Sequence, residues 1–128
     1  MNQSISITRR ALSTLHSILS EPESDIIRDA TIQRFEYCCD LSWKLLKGYL
    51  SYEGIICTSP KGCFRETLHI GLLSEEEVLT GLGMIDDRNM TTHVYREEVA
   101  REIYQKIPEY YNLMDTIVTK IVVRLENQ

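Results

Sequence analysis

The chain has 128 residues, 43% of them hydrophobic and 26% charged, which is enough for a real core without metals or staples and ordinary for a globular protein. A formal charge of −5 and a pI near 5.2 argue against a broad duplex-binding surface but leave room for a local basic groove. Apolar runs no longer than Ile121-Val122-Val123 exclude a membrane-spanning helix, and Met1-Asn2-Gln3-Ser4-Ile5 lacks the basic and apolar regions of a secretion signal, so a cytoplasmic protein with no membrane partner is expected.

Helix signals recur along the whole length, and no strand-like alternation persists. Ile5, Leu12, Leu15, Ile18 and Leu19 keep helical spacing in a first helix that stops before Pro22. A second helix is expected from about Asp25 to Tyr52, ending at Gly54. It carries two apolar stripes, one through Ile32, Phe35, Cys39, Trp43, Leu46 and Leu50, the other through Ile27, Cys38, Leu41, Leu45 and Tyr49. A helix apolar on more than one side points to burial beyond its own bundle, and so to a partner surface.

Ser59-Pro60 reads as the start of a third helix, a hydroxyl cap followed by proline, which ends at Gly71. Ser74-Glu75-Glu76-Glu77 is a capping box opening a fourth helix, with Leu79, Leu82 and Ile85 leading toward Arg88. Gly81 and Gly83 weaken it by roughly 1 kcal/mol each against alanine. The last helix starts near Arg96 and runs through Ala100, Ile103, Ile107, Tyr111, Met114, Val118, Ile121 and Leu125. Pro108 is expected to kink or break it, since proline removes a helical hydrogen bond. The expected fold is an all-α, up-and-down bundle of four or five helices forming one domain over residues 1–128.

The cysteines give no ligand pattern. Cys38 and Cys39 are neighbours on a helix, and Cys57 and Cys63 lack CxxC spacing, so reduced, partly buried thiols are expected, with no metal and no cofactor. His16 in an amphipathic helix, His69 near a helix end and Trp43 on an apolar stripe read as structural. Of the Tyr110-Tyr111 pair, one ring should face outward.

The segment Arg88-Asn89-Met90-Thr91-Thr92-His93-Val94-Tyr95 carries the chemistry. It places a permanent cation, an amide, an imidazole that titrates near neutrality and a phenol within eight residues. In a continuous helix Arg88 and His93 would point about 140° apart. Thr91-Thr92 are poor helix formers, so the helix should loosen and let His93 turn back toward Arg88. RNA supplies its own nucleophile, the 2′-hydroxyl, so a ribonuclease needs only a base, an acid and charge stabilisation. His93 can move the proton, Arg88 can stabilise the phosphorane and Asn89 can position an oxygen. Lys61, Arg65 and Arg96 are candidate phosphate contacts. The plain alternative is that Arg88 forms surface ion pairs with Asp86, Asp87 or Glu97.

Several pieces in one order resemble the HEPN superfamily, in its branch of nucleotidyltransferase substrate-binding proteins and HEPN toxins. They are Arg34-Phe35-Glu36-Tyr37 and Leu41-Ser42-Trp43-Lys44-Leu45-Leu46-Lys47-Gly48-Tyr49-Leu50, then Ser59-Pro60-Lys61, Arg65-Glu66 and Gly71-Leu72-Leu73. Asp87-Arg88-Asn89 with Thr92-His93-Val94-Tyr95 follows, and Ala100, Ile103, Ile107 and Tyr110 complete the set. Val78-Leu79 stands where many relatives carry tryptophan. The resemblance implies a symmetric homodimer with both Arg-x4-His motifs facing one cleft, and a minimal nucleotidyltransferase as partner. It implies a metal-independent ribonuclease toxin acting on RNA, silenced by that partner through binding and adenylylation of Tyr95. The alternative it leaves open is a non-catalytic subunit that presents substrate to the nucleotidyltransferase.

Overall fold

A computed structural model describes residues 1–128 as five α-helices and one 3₁₀ turn, with no strand. Helix α1 (Asn2–Leu19) buries Ile5, Thr8, Leu12, Leu15 and Ile18 along one face. The chain turns at Ser20 and Pro22, and Ser24 restarts it by accepting a hydrogen bond from the Ile27 amide at the head of α2 (Asp25–Tyr52). Helix α3 spans Pro60–His69 and α4 spans Glu75–Met90; the 3₁₀ turn Thr91–His93 leads to α5 (Glu97–Glu126).

Helix α2 is the centre of the bundle and packs against all four other helices. That placement revises the meaning of its doubled stripe. Ile32, Phe35, Cys39, Leu46 and Leu50 are buried, and so are Cys38, Leu45 and Tyr49 on the other side. Most of both stripes is thus covered by the chain's own helices, while Ile27, Leu41 and Trp43 stay half-buried.

The helix ends follow their residues. Gly54 and Gly71 both adopt positive φ. In each case the glycine amide and the amide after it reach back to the last helical carbonyls: Gly54 to Ser51 and Ile55 to Leu50, Gly71 to Leu68 and Leu72 to Thr67. This is the Schellman closure, which needs a residue without a Cβ penalty in the left-handed region. Ser74 and Glu77 form the expected reciprocal box, the Ser74 amide donating to Glu77 Oε1 at 2.8 Å and the Glu77 amide to Ser74 Oγ at 3.1 Å. Ser59 caps α3, with Pro60 in its first turn.

One expectation is narrowed and one corrected. Helix α5 is not broken at Pro108 but continues through it. Proline removes the donor to the Tyr104 carbonyl, and because Pro108 lies on the exposed side water can take that place. Cys57 and Cys63 are not free thiols but a disulfide, with Cα atoms 5.3 Å apart. The turn at Gly54 folds the connecting loop back, so that Cys57 meets the inner face of the first turn of α3, beside Leu50 and against Trp43, Ile55 and Ile70. Spacing along the chain concealed a pairing made by the turn. Only Cys38 and Cys39 are free, and both are buried.

Gly81 has a packing reason. A Cβ there would clash with Phe64, falling within 3.0 Å of three of its ring carbons, and that ring is fully buried. The glycine lets α3 and α4 approach closely. Further along α4 the Tyr110 hydroxyl donates to Asp87, joining α5 to the last turns of α4. Burial first, and that acidic partner second, push the Tyr110 phenol far above its ordinary value. Tyr110 is buried, and Tyr111 is half-buried with its ring 5.1 Å from that of His16, so neither tyrosine of the pair turns freely to solvent. No helix is long and apolar enough to cross a membrane.

Candidate functional site

Arg88 sits in the last turn of α4 and points at the middle of α2. Its Nε and Nη2 donate to the two oxygens of Asp40, each at 3.1 Å, while Nη1 donates to Glu36 Oε2 at 3.0 Å and to Thr91 Oγ1 at 2.9 Å. Thr91 also lies 2.9 Å from Glu36 Oε2 and closes the ring. The hydrogen bonds it donates to Asp40 come first in pushing the guanidinium further above its ordinary value, against the opposing effect of burial. Arg88 is therefore a fixed cation held in a fork–fork pair. Its partners are on α2, not the Asp86, Asp87 or Glu97 of the plain alternative. Asp86 pairs with Lys61, Asp87 with Lys106 and Tyr110, and Glu97 with Arg101.

Glu36, Asp40 and Thr91 were not singled out from the sequence. A signal existed: two carboxylates one helical turn apart, between the buried Phe35 and Cys39, on a helix otherwise apolar at those faces. Such a pair on a central helix calls for a cation from elsewhere in the fold.

The helix loosens after Arg88 as expected, passing into the 3₁₀ turn over Thr91–His93. His93 does not turn back to Arg88. It is exposed, and its Nδ1 lies 3.4 Å from the Tyr95 hydroxyl, with the two rings edge to face. Tyr95 is 79% exposed. One protomer therefore brings Arg88 and Asn89 together and sets His93 and Tyr95 apart from them on the outer side of the turn.

Beside Arg88 is an open pocket of about 310 Å³, lined by Asp40, Trp43, Pro60, Ile85, Arg88, Asn89 and Thr92. Of the three candidate phosphate contacts, Lys61 is engaged by Asp86 and Arg96 by Glu98; Arg65 is exposed on α3. His16 and His69 have structural partners, Tyr111 and Glu66. No group of three or more His, Cys, Asp or Glu side chains is disposed to hold a metal ion.

The chain is an all-α bundle with an anchored arginine at one helix end and an exposed histidine–tyrosine pair just beyond it. The chain belongs to the family described as nucleotidyltransferase substrate binding protein like, whose profile matches residues 3–123. It is 30% identical over 91 residues to the "Probable ribonuclease HepT" of Haemophilus influenzae, an alignment covering 67% of this chain and 61% of that protein. A crystal structure from Thermus thermophilus superposes with a TM-score of 0.86 and 42% identity, covering 89% of this chain and 98% of that one. Two more distant structures share the fold. One, from Haemophilus influenzae, reveals the fold of a substrate binding domain of a nucleotidyltransferase, at TM-score 0.80 and 22% identity over 91% of this chain and 98% of that one. The other is a tri-AMPylated HEPN toxin of Shewanella oneidensis in complex with an MNT antitoxin, at TM-score 0.78 and 13% identity over 94% of this chain and 95% of that one.

Proposed function

We propose that this protein is the toxin of a HEPN–nucleotidyltransferase pair, a metal-independent ribonuclease of the cytoplasm whose cleft forms between two copies of one domain. The observation that carries the reading is the exposed His93–Tyr95 pair, held out on the 3₁₀ turn that follows the anchored Arg88. In the proposed reaction an imidazole removes the proton of an RNA 2′-hydroxyl, the oxygen attacks phosphorus, and the 5′-oxygen leaves as it receives a proton. The products are a 2′,3′-cyclic phosphate and a 5′-hydroxyl. One histidine cannot easily serve both ends of that step, and His93 of a second copy supplies the other. Arg88 contributes positive charge at the edge of the site, and Asn89 holds a substrate oxygen. The homodimer is expected to bury about 1,200 Å² or more, and light scattering that finds a strict monomer at micromolar concentration would remove the shared cleft.

The partner nucleotidyltransferase is expected to bind this chain and transfer an adenylate to Tyr95. The Tyr95 hydroxyl lies beside His93, so the added phosphate would crowd the acid/base and repel RNA. Intact-mass spectrometry of the mixture with ATP, with Tyr95→Phe as control, tests that step.

The deciding experiment is cleavage of cellular RNA by the purified chain. His93→Ala should lose nearly all activity while still folding, whereas His16→Ala and His69→Ala should stay near wild type. EDTA should change little, because side chains take the proton-transfer and charge-stabilising roles. An inert wild type that still binds its nucleotidyltransferase would replace this reading with that of a substrate-presenting subunit.

A further inference from the structure

We propose that the pocket between α2, the head of α3 and the end of α4 receives one RNA nucleobase, adenine for preference, and that Lys44 and Lys47 hold the phosphates on its far side. This rests on the ribonuclease reading and assigns the part of the site that recognises RNA.

The pocket's charge decides against a phosphate as its occupant. Arg88, the one cation lining it, already has Asp40 across both forks, and an anion would meet that carboxylate. A neutral planar group meets no such conflict. Trp43, Pro60 and Ile85 supply its apolar lining. At about 310 Å³ the volume stands at the foot of the range for small-molecule sites, room for a nucleoside rather than a length of strand. Half-buried Trp43 packs against the core and is therefore held in place, as a stacking surface must be.

Asn89 supplies the reading head. It is exposed at the pocket, and its side-chain amide makes no hydrogen bond within the chain; the Thr92 hydroxyl donates to its backbone carbonyl instead. An amide presents a donor and an acceptor side by side, the pattern that pairs with adenine. Lys44 and Lys47 follow Asp40 by four and seven residues on α2. They therefore lie within about 40° of its direction and about 6 and 10 Å further along the axis. Both are exposed, and neither has a carboxylate within ion-pair distance, unlike Lys61, Arg88, Arg96 and Arg101. In a chain of net charge −5, two unpaired cations in line with a base-sized pocket form a surface complementary to a single strand.

Trp43 is the only tryptophan, so the pocket carries its own reporter. His93→Ala protein, which cannot cleave by the reading above, would be titrated with short single-stranded RNAs while Trp43 emission and the anisotropy of labelled RNA are followed together. Saturable quenching is expected, strongest with oligoadenylate, and Asn89→Ala should narrow the preference for A over U and C. Lys44→Ala with Lys47→Ala should weaken binding and reduce the slope of log affinity against log salt by about 0.7 for each phosphate that no longer meets a cation. In protein that retains His93, Trp43→Leu should raise the KM for RNA by about 5- to 150-fold, the range for removal of one stacked base. Trp43→Phe should rescue most of that effect.

RNA binding seen by anisotropy with unchanged Trp43 emission would overturn the pocket assignment and leave the ribonuclease reading standing. Quenching by RNA that wild-type protein then fails to cleave would uphold the pocket and sink the ribonuclease. Quenching by AMP alone, with none by oligoadenylate, would assign the pocket to a mononucleotide and overturn the proposal.

Discussion

Removing the cation that α4 sends to α2 should expose how much of the motif arginine is structural. The perturbation is a double-mutant cycle of Arg88→Ala and Asp40→Ala. Two parallel N–H···O bonds of 3.1 Å join the pair, and the side chains are 27% and 40% exposed. Exposed ion pairs couple by about 0.2–1 kcal/mol, whereas breaking a buried pair costs about 3–5 kcal/mol. Discounting for Asp40, which is more than a third exposed, the coupling should be about 1–2 kcal/mol. Arg88→Ala alone should cost more, about 2–3 kcal/mol, because it also strands Glu36 and Thr91. Urea unfolding followed by far-UV circular dichroism is the assay; with m of about 1–3 kcal/mol per molar, a change of about 1.5 kcal/mol moves the midpoint by about 0.5–1.5 M. A coupling inside the additivity error of about 0.3 kcal/mol would refute the reasoning. The result bears on enzymology, because reduced activity in Arg88→Ala is interpretable only where that variant is still folded.

Three further outcomes follow from named contacts. Gly81→Ala should destabilise by about 1–3 kcal/mol through overpacking on Phe64 despite a better helix former, while Gly83→Ala, whose Cβ would lie 3.7 Å from the Tyr110 hydroxyl, should stabilise by up to about 1 kcal/mol; thermal melts of the two variants check the opposite signs. Burial alone would push the Glu77 carboxyl up, but hydrogen bonds from Lys120 and the Ser74 amide outweigh it and hold the group below its ordinary 4.5. A depressed folded value means stability present above about pH 4.5 and lost as pH falls below it, so Glu77→Gln should flatten the acid limb of a stability–pH curve. Burial pushes the Cys38 and Cys39 thiols up to about 12, so iodoacetamide should label neither in native protein at about pH 8. It should label two cysteines after denaturation and four only after reduction, counted by intact mass.

Most of the helical frame was legible because its boundaries are written in local chemistry. Ser24, Ser59 and Ser74 cap helices with their own hydroxyls, and Gly54 and Gly71 take the left-handed turn that only glycine adopts freely. Each signal acts within four or five residues, so position along the chain suffices. What failed depends on contacts across the fold. Most of the doubled stripe of α2 is taken up by the four other helices around it, which sequence alone cannot show. Arg88 was seen as a free fork because its partners are 48 and 52 residues away. The Cys57–Cys63 bond was hidden for the same reason on a smaller scale, since the turn at Gly54 creates it.

Counting donors changes what the motif arginine can do. A guanidinium has five N–H groups, and Nε, Nη2 and both protons of Nη1 are directed at Asp40, Glu36 and Thr91. One N–H remains, too few for a bidentate grip on phosphate. Arg88→Lys should therefore fail for a structural reason, since an ammonium cannot span Asp40 and Glu36 with a planar fork. The arginine's main work is then to lock the end of α4 against α2, which fixes Asn89 beside the pocket and carries the 3₁₀ turn that holds out His93. Under the proposed reading, Arg88 keeps only an edge-on role, and the cations free to grip RNA phosphates on α2 are Lys44 and Lys47, which have no ion-pair partner. On that reading the acid/base would lie on one side of this anchored turn and the base-reading pocket on the other. A single RNA strand can engage both only by crossing that turn, or by reaching the His93 of a second copy placed opposite.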